Sequence, residues 1–407
     1  MSNDNNTKIS LATATIIGMN AMIGSGIFTA PATMAAYVGP AGIIAYILVV
    51  IAIWFLAQSL ARLAELFPEE GSFYLYTKQW GGHTMGMIAI TAYFIGLLIA
   101  MGLLSQMAGI YLHRFFPAFT PYTLGIIALW TLVILNMFGV ALSSLGQHIL
   151  IVCTLFPLIA TTIMCFTKAN LSYLTPFAPY GFSNVLKATR IVIFGFFGFE
   201  CATSLFSIVK DPAKNVPRAL TYSILIVGTI YTLFVSSIII STPLSLFTNA
   251  RLPLSEALLV IFPDKPWLIL TIHFAILSAI IGTIHSMIMA SSHLLMFLVK
   301  TLKNNVARKL IATGSFTTKT AVASVGLGIF ITYVSFRNIN LFFDLTSIFL
   351  IFAFIMSMIT LLTIRSEWQS GRNITCILGI LTALMIFTFA VQGLIHELGA
   401  VTNSCSN

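Results

Sequence analysis

Charged side chains are scarce in this sequence. Of its 407 residues, 8% are charged and 58% are hydrophobic, and the mean hydropathy is +1.00, whereas an ordinary soluble domain carries about a quarter charged residues. Apolar runs of about 20 residues, each long enough to cross a hydrocarbon core of about 30 Å, recur along nearly the whole chain. This composition excludes a soluble globular protein and predicts an all-α polytopic protein embedded in the lipid bilayer.

The residue patterns of other protein classes are also missing. The five cysteines show no paired spacing, so they predict neither a disulfide framework nor a metal site. The 11 acidic residues are scattered, whereas a membrane enzyme needs convergent catalytic groups. Neither a filter-like repeat nor rings of charge indicate a channel. We therefore expect no enzyme activity, no cofactor and no bound structural or catalytic metal.

The apolar runs divide into eleven predicted spans. Connectors such as FPEEGS, FPAFTP and DPAKNVP separate them with turn and breaker residues. Between the seventh and eighth spans, LSEALLVIF predicts a short interfacial helix. The spans cover residues 10 to 36, 40 to 62, 83 to 112, 121 to 142, 147 to 167, 187 to 208, 217 to 241, 267 to 299, 319 to 336, 340 to 364 and 373 to 397.

Lysine and arginine are distributed unevenly between the two sides of the membrane. With residues 1 to 9 as a cytoplasmic tail, most of the 20 Lys and Arg residues fall in cytoplasmic segments, as the positive-inside rule requires. We therefore expect a multi-pass protein of the inner (cytoplasmic) membrane with a cytoplasmic N-terminus. The net charge of +9 is an orientation signal. Without a basic patch interleaved with aromatic residues, it predicts no nucleic-acid partner.

Glycine interrupts two of the predicted spans at similar depth. Span one contains GMNAMIGSGIFTAP, with Gly24, Ser25 and Gly26 in its middle, and span six contains FGFFGFE, residues 194 to 200. Glycine costs about 1 kcal/mol in a helix interior relative to alanine, and an interruption frees backbone groups that hydrocarbon cannot satisfy. Small residues also line close helix crossings in membranes, but two breaks at matching positions favour a ligand site.

The spacing of the two breaks predicts an inverted repeat. The second break lies five spans after the first, and because five is odd, the second set of five spans is inverted relative to the first. Paired interrupted helices of this kind indicate a transporter substrate site near the bilayer midplane. We therefore expect a five-plus-five inverted-repeat transporter fold with broken helices one and six. Residues 10 to 167 form the first repeat, 187 to 364 the second, and 373 to 397 an additional C-terminal helix.

The chemistry of the two breaks suits a zwitterion. The outer half of span one begins just after Gly26, so the N–H groups of its first turn and its positive dipole end face the gap and suit a carboxylate. The carbonyl groups that end the first half-helices, near Met22, Ile23 and Phe194, suit an ammonium group. A gap with one positive and one negative wall fits an amino acid.

Three stretches resemble the amino acid–polyamine–organocation (APC) superfamily. IIGMNAMIGSGIF is similar to its first-helix signature, AELFPEEGSFYLYTKQWGG to its loop after helix two, and FFGFECATSLFSIVKDPAKNVPRAL to its helix six and following loop. The resemblance covers spans one to ten and is nearest the basic amino acid/polyamine antiporter branch. It implies an amino-acid permease that acts as a symporter or an antiporter.

The resemblance also implies site residues. Ser25 and Gly26 would bind the α-carboxylate of the substrate. Ile23 and the backbone of Phe194 and Phe197 would receive the α-ammonium group, and the Phe194 ring would close over the substrate as an aromatic gate.

Some positions depart from the pattern of the arginine–agmatine antiporter branch. Met101 and Ile284 align with an asparagine on helix three and a tryptophan on helix eight that contact a guanidinium group, so the resemblance implies a pocket for neutral or apolar amino acids. Thr154 replaces a helix-five lysine of some proton-coupled relatives. Many relatives have twelve helices and this chain predicts eleven, which leaves a monomer and a homodimer open.

Glu200 and His285 are the candidate coupling residues. Glu200 lies in an apolar run beside the second break, where an acid either titrates with coupled protons or braces the broken helix. His285 is a candidate for lining the pathway, and a sodium ion near Thr154, Ser291 and Ser292 is the other alternative. A proton-coupled symporter, an exchanger, a cationic amino acid/polyamine antiporter and a non-transporting amino-acid sensor of the same fold therefore stay open.

Overall fold

The computed structural model describes residues 8–24, 26–248, 254–302, 305–335, 339–369 and 373–405. Within these ranges the regular structure is helical, apart from one isolated bridge near the N-terminus. The helices are α1 (Leu11–Met22), α2 (Gly26–Val38), α3 (Gly42–Leu66), α4 (Ser72–His113), α5 (Pro121–Met137), α6 (Val140–Phe166), α7 (Phe182–Phe194), α8 (Pro212–Ser241), α9 (Leu244–Thr248), α10 (Leu254–Ile261), α11 (Trp267–Thr301), α12 (Asn305–Ala312), α13 (Thr318–Ser335), α14 (Ile339–Thr363), α15 (Arg365–Gln369) and α16 (Asn373–Cys405).

The helices match the predicted spans. Among the described residues, eight helices are long and apolar enough to cross a membrane, namely α3, α4, α6, α8, α11, α13, α14 and α16. The shorter apolar helix α5 occupies the place of predicted span four. Predicted spans one and six are each divided into two pieces. The all-α polytopic architecture is therefore confirmed.

The first break separates α1 from α2. α1 starts after Ser10, whose hydroxyl oxygen accepts a hydrogen bond from the Thr13 N–H at 3.2 Å, which satisfies one of the free donors of the first turn. It ends at Met22, and the Ile23 N–H still donates to the Met19 carbonyl at 2.8 Å. The chain resumes helical structure at Gly26.

The second break is longer than the sequence suggests. α7 ends at Phe194, a turn follows, and a short 3₁₀ helix covers Phe199–Ser204. Span six therefore does not resume as an α-helix that continues to residue 208. The physical reason is Gly198, whose φ of +112° is left-handed and interrupts the helix. Glycine tolerates this conformation because it has no Cβ atom.

The start of span one lies beside the end of span six. The Ile9 N–H donates to the Ile208 carbonyl at 2.7 Å, and the Lys210 N–H donates to the Ile9 carbonyl at 2.9 Å, which forms the parallel bridge between Ile9 and Val209. Span one therefore begins on the side of the membrane where span six ends. The two broken spans run in opposite directions, as an inverted repeat requires.

Two helices extend further than their predicted spans. α4 begins at Ser72, because the chain is helical on both sides of a kink at Gly82, where φ is +69°. α16 continues to Cys405, beyond the predicted end at residue 397. A helix satisfies its own backbone hydrogen bonds, so it can continue past the hydrocarbon boundary. α14 packs between α4 and α16, and α3 packs on α8.

Candidate substrate site

The two breaks contact each other inside the protein. A Cβ atom added to Gly26 would lie 4.0 Å from the Cα of Gly195, and one added to Gly198 would overlap the carbonyl group of Ala21. The backbone of the second break therefore approaches the end of α1 so closely that Gly198 has no room for a side chain. The tertiary structure brings together two segments that are about 170 residues apart in sequence.

Side chains from two other helices hold the first break. The Tyr231 hydroxyl of α8 donates to the Met22 carbonyl at 3.2 Å. The Thr283 hydroxyl of α11 lies 2.8 Å from the Asn20 carbonyl and 3.0 Å from the Ile23 carbonyl. The last carbonyl groups of a helix have no partner within the helix, and each carbonyl oxygen can accept two hydrogen bonds. One bond from the protein therefore leaves capacity for a ligand.

The Glu200 side chain binds the backbone of the second break, to which it belongs. It is completely buried, and its Oε2 accepts a hydrogen bond from the Gly198 N–H at 2.9 Å. Its Oε1 accepts from the Tyr93 hydroxyl of α4 at 3.4 Å. The Thr203 hydroxyl donates to the Glu200 carbonyl at 2.8 Å. Both carboxyl oxygens thus have protein donors, which accounts for an acid at this depth.

The ends of the half-helices provide both charges that a zwitterion needs. α2 begins at Gly26, and the first turn of a helix presents N–H groups that have no acceptor within the helix. α1 and α7 end at Met22 and Phe194, where carbonyl groups carry the negative end of the dipole. The junction of the breaks can therefore receive a carboxylate and an ammonium group.

The wall beside the first break is mostly apolar. A Cβ atom on Gly24 would lie 3.7 Å from the Thr283 hydroxyl and 3.9 Å from a methyl group of Leu104 in α4. Met101 lies one helical turn before Leu104 and is fully buried, and Ile284 follows Thr283 in α11 and is fully buried. The structure thus places both of these site candidates in the helices that pack around the first break.

Three of the remaining site candidates, Ile23, Phe194 and Phe197, lie within the breaks or next to them. Ile23 is the first residue of the first break, directly after α1, and it is buried. Phe197 is buried in the turn before the 3₁₀ helix. Phe194 is the last residue of α7, but its side chain lies outside what the structure describes, and Ser25 lies outside the described residues. The carboxylate contact of Ser25 and the gate role of Phe194 therefore stay predictions.

A buried polar network joins the first broken helix to its neighbours. The Asn20 amide of α1 donates to the Oε1 of Gln147 in α6 at 2.7 Å and to the Gln147 carbonyl at 2.8 Å. The Ser286 hydroxyl of α11 donates to the same Oε1 at 2.7 Å. This network was not predicted from the sequence. The signal was present, because an amide in a spanning helix needs a polar partner.

His285 is hydrogen-bonded on the other side of α11. The Asn136 amide of α5 donates to its Nδ1 at 2.7 Å, and its Nε2 lies 3.0 Å from the carbonyl oxygen of Ser143 in α6. An Nδ1 that accepts and an Nε2–H that donates define the neutral form of the ring. The hydrogen bonds that the structure describes for His285 connect it to α5 and α6 rather than to the breaks.

The candidate sodium ligands are not joined to one another by hydrogen bonds within the described part of the chain. The Thr154 hydroxyl donates to the Ser278 hydroxyl at 3.2 Å, which connects α6 to α11. Ser292 donates to the Ile288 carbonyl of its own helix at 2.6 Å. The Ser291 hydroxyl is buried without a hydrogen-bond partner among the described residues.

Two broken helices in contact, within an inverted repeat of membrane-spanning helices, form the arrangement that is typical of secondary transporters. Comparison with known proteins identifies the family. The sequence matches the amino acid permease family over residues 9–404, so the chain belongs to this family. This assignment confirms membership of the APC superfamily, which the three sequence stretches indicated.

Several relatives are permeases or transporters. The branched-chain amino acid permease BcaP of Bacillus subtilis is 26% identical over 265 residues, which are 60% of this chain and 57% of BcaP. A probable GABA permease of Pseudomonas aeruginosa is 24% identical over 340 residues, 79% of this chain and 70% of that protein. The chain spans less than two thirds of the length of BcaP. Both relatives are named as permeases.

Solved structures share the fold. A substrate-bound, outward-open Na⁺-coupled sialic acid symporter is 12% identical, with a TM-score of 0.63 over 95% of this chain and 90% of that one. MhsT in complex with L-phenylalanine is 15% identical, with a TM-score of 0.62 over 94% of this chain and 98% of that one. At these identities the likeness establishes the fold, and it confirms the five-plus-five architecture.

Proposed function

We propose that this protein is a secondary active transporter that moves amino acids across the cytoplasmic membrane by alternating access. The observation that carries the proposal is the contact between the two breaks, where Gly26 faces Gly195. Helix ends of opposite polarity meet there, so the backbone can hold both charged groups of an amino acid. Transport then requires the broken helices to open alternately toward the two sides of the membrane.

In this proposal the backbone binds the head group of the substrate. Gly26, the first residue of α2, and Ser25, which precedes it in the sequence, receive the α-carboxylate. The carbonyl groups of Ile23, Phe194 and Phe197 receive the α-ammonium. The interrupted helices support this assignment, because charged side chains are not needed where helix ends supply the partial charges.

The preferred substrate has a neutral, apolar side chain. Met101, Leu104 and Ile284 are buried and apolar, and both carboxyl oxygens of Glu200 already accept hydrogen bonds from the protein. A cationic side chain would therefore lack a dedicated acceptor, which disfavours the cationic amino acid/polyamine antiporter. The resemblance to a branched-chain amino acid permease supports the same substrate class.

We propose proton-coupled symport or exchange, with Glu200 as the first coupling candidate. Its burial beside the second break supports this role, and its bonds to Gly198 and Tyr93 equally support a role as a brace. His285 is the weaker candidate, because its described partners lie on α5 and α6. Sodium coupling through Thr154, Ser291 and Ser292 is the alternative that ion-replacement experiments test.

The test has two stages. A ligand that binds only the folded protein raises its apparent thermal stability, so the purified protein is screened by thermal shift against the twenty amino acids, agmatine and common polyamines. We expect stabilisation by neutral, apolar amino acids. Stabilisation by cationic ligands alone would contradict the proposed substrate class. The stabilising ligand is then tested for flux into proteoliposomes, and binding without flux would indicate an amino-acid sensor.

A further inference from the structure

A cavity of about 610 Å³ lies between five helices, away from the two breaks. It is bounded by the second half of α3, the second and third turns of α8, the end of α14, α15 and the first turn of α16. Its volume falls within the range of about 300 to 1,000 Å³ that small-molecule sites occupy. Nothing in the proposed transport mechanism uses this cavity.

The cavity lies at the depth of the lipid headgroups. α8 contains 30 residues and is therefore about 45 Å long, whereas the hydrocarbon core is about 30 Å thick. Because charged side chains are costly in the hydrocarbon core, Lys210, Lys214 and Arg218 place the first turns of α8 in the headgroup region. With the cytoplasmic N-terminus that the Lys and Arg distribution predicts, this is the cytoplasmic leaflet.

One of the two arginines that line the cavity is already neutralised. The Arg62 guanidinium group of α3 donates to Glu367 through Nη2 at 2.7 Å and through Nε at 3.1 Å. Its Nη1 donates to Glu65 at 2.8 Å. Glu367 is buried, so this two-pronged pair is a fixed part of the cavity wall. Arg62 is therefore not the group that would bind an added anion.

The other arginine is available. Arg218 lines the cavity from α8 and is exposed, and it forms no ion pair with any residue that the structure describes. Beside it, Thr221 is held by a hydrogen bond from the Gln58 amide at 3.2 Å. A guanidinium group is a favourable partner for phosphate, because its donors match two phosphate oxygens.

The remaining wall is apolar and continues onto the lipid-facing surface of α8. Trp54 and Phe55 of α3 and Tyr222 of α8 line the cavity. Tyr222 is 44% exposed, and Leu225 and Ile226, one turn further along α8, are 46% and 40% exposed. A charged end next to an apolar path along the helix surface matches a phosphate headgroup that is attached to acyl chains, whereas a free phosphate would not use the apolar wall.

We propose that this cavity binds the phosphate headgroup of a membrane phospholipid through Arg218, with its acyl chains along the exposed face of α8. The lipid would fill the space between the α3–α8 pair and the start of α16. The site is independent of the substrate site, so its test does not depend on transport.

The test measures lipid binding to the purified full-length protein in detergent. Dioleoyl phosphatidylglycerol is titrated against the wild type, Arg218→Gln and the control Lys214→Gln, and bound lipid is counted by native mass spectrometry alongside thermal shift. Lys214 is exposed on the preceding turn and does not line the cavity. We expect Arg218→Gln to bind about tenfold more weakly, since a charged hydrogen bond is lost, and Lys214→Gln to match the wild type. Arg218→Lys retains the charge and should restore part of the affinity.

Two results would overturn the proposal. One is equal lipid binding by the wild type and by both glutamine variants, which would mean that the lipid does not use this cavity. The other is stabilisation by glycerol 3-phosphate at the same concentrations as by the lipid, which would identify a soluble phosphate compound as the ligand instead. Both substituted residues are exposed, so the variants are expected to fold, and their melting temperatures without lipid verify this.

Discussion

The backbone groups of the two breaks find their hydrogen-bond partners in different places. Tyr231 of α8 and Thr283 of α11 hold the first break, so its carbonyl groups depend on helices far away in sequence. The second break is closed mainly by its own chain, because Glu200 accepts the N–H of Gly198 two residues earlier. The first break can therefore change shape when neighbouring helices move. The second break keeps the Glu200–Gly198 hydrogen bond when they move, because both residues belong to it.

The largest expected effect is a substitution at the point where the breaks touch. Gly198→Ala forces a side chain into a left-handed backbone and onto the Ala21 carbonyl. We expect destabilisation by about 3 kcal/mol or more, since strain and overpacking add. The measurement is the melting temperature and the yield of monodisperse protein. Gly195→Ala is the matched control, because its φ is not left-handed. Equal stability of the two variants would show that the breaks do not touch at Gly198.

The second largest effect concerns ligand binding at the first break. A Cβ atom fits at Gly26, 4.0 Å from Gly195, but the two methyl groups of valine would reach into the gap. We expect Gly26→Val to abolish substrate-induced stabilisation in a thermal-shift assay while membrane insertion stays normal, and Gly26→Ala to retain much of it. Wild-type affinity in the valine variant would show that the substrate head group does not bind at Gly26.

Glu200→Gln distinguishes a coupling residue from a brace at the second break. A glutamine keeps the size of the side chain but loses the charge. Its bond to the Gly198 N–H is therefore weaker, and its NH₂ group cannot accept the hydrogen bond that the Tyr93 hydroxyl donates to Glu200. If Glu200 carries the coupled proton, uptake driven by an imposed proton gradient should fall while exchange of internal for external substrate persists. If it is a brace, both activities and the melting temperature should fall together. Proton-driven uptake at the wild-type rate would exclude Glu200 from coupling.

The smallest expected effect tests how the first break depends on its neighbours. Thr283→Val removes the hydroxyl near the Ile23 carbonyl with little change in shape, and we expect substrate binding to weaken by about 1 kcal/mol, the typical value of one hydrogen bond. Thr162→Val is the control, because that hydroxyl bonds the Leu158 carbonyl of its own helix. Isothermal titration measures both. Equal affinities would show that the first break does not need α11.

Much of the fold could be predicted from composition and periodicity. Eight helices in the described part of the chain match predicted spans, because a segment in hydrocarbon must be both apolar and helical. The two breaks could also be located, because glycine pairs such as Gly24 and Gly26 are costly inside a helix. The 3₁₀ helix at Phe199–Ser204 could not be predicted, because it depends on the left-handed Gly198 and on where the Glu200 side chain finds donors.

The side chains that hydrogen-bond to the breaks could not be predicted from the sequence. Tyr231 and Thr283 are ordinary residues of spanning helices, and nothing in their local pattern distinguishes them from other tyrosines and threonines. Asn20 and Gln147 carried a signal, since buried amides need partners, but their pairing across α1 and α6 is a long-range contact.

The sequence by itself determined that this chain spans a membrane, where its helices lie, and where two of them are interrupted, because these properties follow from local hydrophobicity and backbone preference. Only the tertiary structure decided that Gly26 faces Gly195 and that the Glu200 carboxylate accepts the Gly198 N–H. It also decided that Arg62 is paired with Glu367, whereas Arg218 forms no ion pair with any residue that the structure describes. Contacts between distant segments depend on how all the helices pack at once, and no local stretch of sequence contains that information.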